Sequence, residues 1–171
     1  GKAIRNDDIY YIEGTTTGWD NGYDSSIFGG VANEFAIYTH SVSNGSGRNL
    51  GIQSLPPNNF ENMIIPVGIN AEAGTAITID AATNNFPSGI NIYLEDKQDN
   101  SFTLLEADSN FSFTPENSFS GIGRFYLHTT SGVLSADDFD TNYNISIYTF
   151  SQDNLRIAGV QHGPETVRLY N

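Results

Sequence analysis

The 171 residues carry 20 Asp and Glu against 7 Lys and Arg, a formal charge of −13 with no basic cluster to offset it, so a phosphate backbone or an anionic lipid surface would be repelled. No apolar run approaches the roughly 20 residues that cross a bilayer as a helix, and the reading is a soluble chain with no nucleic-acid partner and no membrane span. The lack of cysteine removes disulfides and thiolate metal sites, while 17 Gly among 38% hydrophobic residues point to a turn-rich, all-β fold.

In chain order, Ile4, Ile9 and Tyr11 belong to an opening strand. Residues 15–30, TTTGWDNGYDSSIFGG, are dense in Gly, Asp and aromatics and read as a long loop, the kind of segment that carries sites. From residue 34 onward, apolar and polar residues alternate with turn signals roughly every 8–12 residues, the spacing of a sandwich. Phe35 and Ile37 face one way in 34–40, with Tyr38 and His40 opposite. Met63, Ile65, Val67 and Ile69 share a face in 63–69, where Pro66 predicts an edge or a bulge. Strands follow at 76–81 and 90–96, a hairpin loop at 97–100, then strands through Phe102 and Leu104, Phe111 and Phe113, and 123–129. The pattern lapses at 131–144, which marks a boundary. It resumes in three short strands through Ile145 and Ile147, Leu155 and Ile157, and Val167 and Leu169, and three strands need cover from elsewhere.

Trp19, Tyr23 and Phe28 lie in one loop with Asp20, Asn21 and Asp24, the mix of flat aromatic faces and planar polar groups that a sugar ring engages. The same residues equally suit a plug at one end of the sandwich with Asp and Asn in turns. A structural Ca²⁺ is a further alternative for Asp20, Asn21 and Asp24, or for Asp7, Asp8 and Glu13, or for Asp137, Asp138 and Asp140, although acidic runs are commonly solvated surface. His40, His128 and His162 are too scattered for zinc. Arg124, Tyr126 and His128 are expected on one outward strand face, which would suit either a charged sugar or ordinary cross-strand pairing. No Ser sits in a strand-to-helix elbow and no glycine-rich phosphate cradle opens a helix, so the chain is read as non-enzymatic, with no cofactor.

Three motifs occur in order near the C-terminus: Ile145-Ser146-Ile147-Tyr148, then Asn154-Leu155-Arg156-Ile157-Ala158-Gly159, then Val167-Arg168-Leu169-Tyr170-Asn171. They resemble the start of the type A sorting domain of bacterial type IX secretion cargo. The resemblance implies an outer-membrane translocon and a sortase-like enzyme as partners, and a route through periplasm and outer membrane to the cell surface or the medium. Asn154, Leu155, Ile157, Gly159, Val167, Leu169, Tyr170 and Asn171 are the matching positions. That family's domain is a complete small sandwich with further strands, whereas the sequence here stops at Asn171. It begins at Gly1 without a basic and apolar leader, so a cleaved signal is expected upstream. Residues 17–24, 35–39 and 50–56 are similar to a region preceding such sorting domains in large adhesins and polysaccharide-degrading enzymes, which implies modular placement.

The expectation is therefore an all-β, jelly-roll-like sandwich over 1–138, followed over 139–171 by a linker and the first strands of a partial second β unit. Its expected role is a non-catalytic structural and targeting module of a secreted or cell-surface protein. The alternative is a carbohydrate-binding module that holds polysaccharide through Trp19, Asp20, Asn21, Tyr23 and Asp24.

Overall fold

A computed structural model describes residues 4–27, 34–42, 47–106, 108–134, 146–151 and 154–158, the last two segments as backbone. Strands β1 (Asp8–Tyr11), β2 (Ser25–Ser26), β3 (Ala36–His40) and β4 (Asn49–Leu55) lead into a short 3₁₀ turn at Pro57–Asn62. Then come β5 (Ile64–Asn70), β6 (Ile77–Ile79), β7 (Asn91–Asp96), β8 (Ser101–Leu104), β9 (Phe111–Phe113) and β10 (Phe125–Thr130). An eight-stranded sheet runs β1-β4-β3-β5-β10-β7-β8, with β2 also on β4. All its pairs are antiparallel except β1 with β4.

The alternation seen in the sequence becomes the core. Val67 pairs with Phe125 and Ile65 with Leu127, while Leu127 pairs with Leu94 on its other side, so these side chains share one face. The second layer over that face is only two strands deep. Ile77 and Ile79 of β6 pair with Phe113 and Phe111 of β9, and these four pack on Val67, Ile69, Leu94 and Phe125. Phe125 is 1% exposed and has tilted or edge contacts with Phe111, Phe113 and Phe119. Burying such a ring stabilises the fold by about 1.5–3 kcal/mol. The result is a lopsided β-sandwich, one broad sheet under a narrow one.

Three local features depart from simple alternation. Between Ser25 and Ser26 one step along β2 spans two along β4, from Ile52 to Leu50, the mark of a bulge at Gly51. It lets Leu50 and Leu55, five residues apart, both be fully buried. Pro66 lies in a strand with neighbours on both sides, but pairing with β3 begins only at Val67, so among the described residues Pro66 itself pairs with Tyr126 of β10 alone. The second face of the sheet is also buried: Tyr38 is 3% exposed and lies on Gly68, where any Cβ would overlap its ring.

The 97–100 loop closes the β7–β8 hairpin as expected, with Asn100 left-handed at φ 49°. After the sandwich, β11 (Ser146–Ser151) and β12 (Asn154–Ala158) form an antiparallel hairpin. Among the described residues these strands pair only with each other and do not extend the main sheet. Ile145 and the third expected strand, through Val167 and Leu169, lie outside the described residues.

Candidate functional site

The loop that links β1 to β2 holds the five candidate ligand residues, and its carboxylates are used from within. The Thr16 amide donates to Asp20 Oδ2 at 2.6 Å and the Thr16 hydroxyl donates to both Asp20 oxygens at 3.1–3.2 Å. The Asp20 amide donates to Asp24 Oδ2 at 2.7 Å, and Asp24 Oδ1 accepts from the Ser54 amide of β4, also at 2.7 Å. Ser54 in turn donates its hydroxyl to the Tyr23 carbonyl at 3.1 Å. Two aspartates thus relay the loop onto the sheet by charge-assisted bonds, which are roughly twice as strong as neutral ones.

Asn21 is also committed, since its side-chain oxygen accepts the Trp19 indole N–H at 2.7 Å. The Arg48 guanidinium, exposed and just before β4, lies 4.4 Å from the Trp19 ring centre in cation–π contact. Tyr23 is 49% exposed. The structure brings all five residues into one loop, holds Trp19 by its edge and by one face, and engages the Asp20, Asn21 and Asp24 side chains in bonds within the loop and to β4. At the base of the loop a cleft of about 350 Å³ is lined by Glu13, Gly14, Thr15, Pro56, Pro57 and Asn58.

No group of three or more His, Asp or Glu side chains converges as a metal site among the described residues. Asp20 and Asp24 spend their oxygens on N–H and O–H donors. Asp8 and Glu13 are exposed, Asp7 has its carboxyl tip buried, and Asp137, Asp138 and Asp140 lie outside the described residues, as do Phe28 and His162. His40 Nδ1 bonds Asn49 Oδ1 at 2.8 Å.

The expected face of Arg124, Tyr126 and His128 needs correction. Tyr126 and His128 do share a face, but both are buried, 8% and 5% exposed. Arg124 precedes β10 and turns instead to the core side, where it clasps Asp96 by two bonds, Nε to Oδ1 at 2.9 Å and Nη2 to Oδ2 at 2.7 Å. Its guanidinium carbon sits 4.7 Å from the ring centres of both Phe113 and Phe125. It is a structural ion pair on the rim of the aromatic core.

His128 meets a partner on a neighbouring strand that no local pattern announces. Its Nε2 lies 2.8 Å from Glu95 Oε2, the Glu95 carboxylate also pairs with Lys97, and Lys97 Nζ stands 5.7 Å from the Tyr126 ring centre. Phe102 meets the His128 ring edge-on at 5.4 Å. Burial pushes the Glu95 pKa upward, but the His128 and Lys97 partners outweigh it and hold the pKa below the ordinary glutamate value. The group is a buried ion network inside a sheet face.

Of the sorting-motif positions, Asn154, Leu155 and Ile157 lie on β12, where Leu155 pairs with Thr149 and Ile157 with Ile147. Gly159, Val167, Leu169, Tyr170 and Asn171 lie outside the described residues.

An all-β sandwich, with its loop carboxylates and buried ions turned to internal bonding, defines the class as a β-sandwich module. Residues 3–128 match the family described as a domain of unknown function (DUF8693), and the chain belongs to that family. Searches of curated proteins and of solved structures found no match.

Proposed function

We propose that the protein is a non-catalytic structural module of a secreted or cell-surface bacterial protein, carried beside a type IX sorting signal. The observation behind this reading is the β11–β12 hairpin. It lies beyond the family's residues 3–128, forms a sheet of its own, and bears the Asn154-Leu155-Arg156-Ile157-Ala158 motif on one strand. A two-stranded hairpin is marginal by itself in water, so the C-terminal segment reads as the start of a unit that needs more strands, with the outer-membrane translocon and sortase-like enzyme as its partners. The commitment of Asp20, Asp24, Glu95 and Asp96 to internal bonds supports a scaffold. The test is export of a reporter fused to the segment from residue 139 to the protein's natural C-terminus, in cells with the type IX machinery. Retention in the periplasm would end the reading.

One observation favours carbohydrate binding as a second reading: Trp19 is held rigid beside exposed Tyr23, and rigid aromatic faces bind sugars at low entropic cost. Retardation in gels that contain soluble polysaccharides, lost in Trp19→Ala, would support it. Migration unchanged by every glycan would remove it.

A further inference from the structure

All the buried side-chain oxygens that lack a hydrogen-bond partner among the described residues belong to three residues: both carboxyl oxygens of Asp7, Thr39 Oγ1 and Gln53 Oε1. The pairing of the sheet brings these three to one junction. Asp7 stands one residue before β1 and, by alternation, on the side of Ile9 and Tyr11. Ile9 pairs with Gln53 of β4, and the Gln53 amide reaches across to the His40 carbonyl at the end of β3, at 3.4 Å. Thr39, the residue before His40, pairs with Leu50 of β4, and its hydroxyl and amide lie near the Asp7 carboxyl. Thr39 is 1% exposed and Gln53 fully buried. Buried groups left without partners call for a physical explanation.

A count of donors supplies one. With Asp7 ionised, the three side chains have one hydroxyl hydrogen, on Thr39, for two carboxylate oxygens and the Gln53 oxygen; the Thr39 and Asp8 amides lean on the carboxylate without closing a hydrogen bond, and the buried anion stands without a paired counter-charge. Adding one proton gives a second donor: the acid donates to Thr39 Oγ1, which frees the Thr39 hydroxyl hydrogen for an acceptor. A divalent cation would instead leave excess positive charge where desolvation is expensive.

The surrounding charges do not replace that proton. On its own segment Asp7 has Asp8, a like charge, and Arg5, which is turned to the Phe35 carbonyl at 3.1 Å. From β3 comes His40, which is bonded to Asn49. No residue of β4 or β5 is titratable, and Asp24 meets β4 through the Ser54 amide.

We propose that Asp7 is a proton-operated latch: in its neutral form it completes a hydrogen-bonded junction with Thr39 and Gln53 that fastens β1 to the sheet, and in its ionised form it releases the hold. Burial raises its pKa from 3.8 to about 7, the nearby Thr39 hydroxyl and amide offset this only in part, and the Asp8 charge adds a small further push. The sign follows by linkage. The contribution to stability is full below the unfolded pKa near 3.8, declines as pH rises, and is gone above about 7.

The test compares hydrogen exchange at the Ile9–Tyr11 amides in the full chain and in Asp7→Asn, corrected for intrinsic rates, at mildly acidic and mildly alkaline pH. The wild type should lose protection by about tenfold or more on the alkaline side, and Asp7→Asn should not. Equal pH dependence in the two proteins would overturn the latch. So would protection restored at alkaline pH by millimolar Ca²⁺ or added Na⁺ in the wild type alone, since a cation would then be the missing partner. Should Asp7→Asn fail to fold, carboxyl NMR of the wild type decides: an Asp7 pKa above about 6 supports the latch, and one near the ordinary value of about 4 refutes it.

Discussion

Removing Asp96 should cost less than removing Arg124, and the difference can be worked from what each leaves behind. The Asp96 side chain is 1% exposed and Arg124 17%. Arg124→Met strands a buried carboxylate that, among the described residues, keeps the Gln98 amide at 3.0 Å, and loss of one partner from a buried pair costs about 3–5 kcal/mol. Asp96→Ala strands a guanidinium that still reaches some water, rests on Phe113 and Phe125, and has Asp99 4.0 Å away. Its cost should therefore lie near the bottom of that range, at about 3 kcal/mol. For a sandwich of this size that corresponds to a fall in Tm of roughly 10 °C. In the double variant no charge is stranded, so its loss should undershoot the sum of the single losses by on the order of 2 kcal/mol. Urea unfolding of the wild type and the three variants measures all of these quantities. Additive losses, or an Asp96→Ala variant within the error of wild type, would refute the ion pair as a structural element.

The loop and the buried network give two further tests. Asp24→Ala removes the acceptor for both the Asp20 and Ser54 amides, and should lower stability by about 1–2 kcal/mol while freeing the loop. Because the chain has one Trp, stronger quenching of Trp19 fluorescence by acrylamide reports that release, and unchanged quenching would contradict the relay. Glu95 has a lowered pKa, so its stabilisation is present above the unfolded glutamate value and is lost as pH falls through the folded one. Glu95→Gln should weaken the fold at neutral pH by about 2 kcal/mol and flatten its acid unfolding curve. An acid limb identical to that of wild type would show that the His128 and Lys97 contacts carry no net stabilisation.

The face of the main sheet that forms the core was legible because β5 and β10 carry large apolar residues at every second position, Ile65, Val67 and Ile69 on one and Phe125 and Leu127 on the other. β4 was not, because the bulge at Gly51 switches the side-chain phase and puts Leu50 and Leu55 on positions that no single alternation joins. Arg124 was given the wrong face for a related reason. Gly123, at φ 106°, breaks the extended backbone just before β10, so the alternation of Phe125 and Leu127 cannot be carried back to residue 124. The candidate loop was legible as a place but not as a use, since Asp, Asn and Thr are the residues of both turns and sugar sites. Which of those they form depends on where their hydrogen bonds go, and here Ser54, from a strand thirty residues on, takes one of them. The partners of Asp7 and His128 come from other strands, a relation that depends on register and leaves no local pattern.

The proposed export information after the sandwich is tested most directly by the reporter fusion. A reporter joined to the segment from residue 139 through the natural C-terminus should appear at the cell surface or in the medium, while a reporter joined to residues 1–138 should stay in the periplasm. Export by the sandwich alone, or periplasmic retention of the C-terminal fusion, would contradict the account.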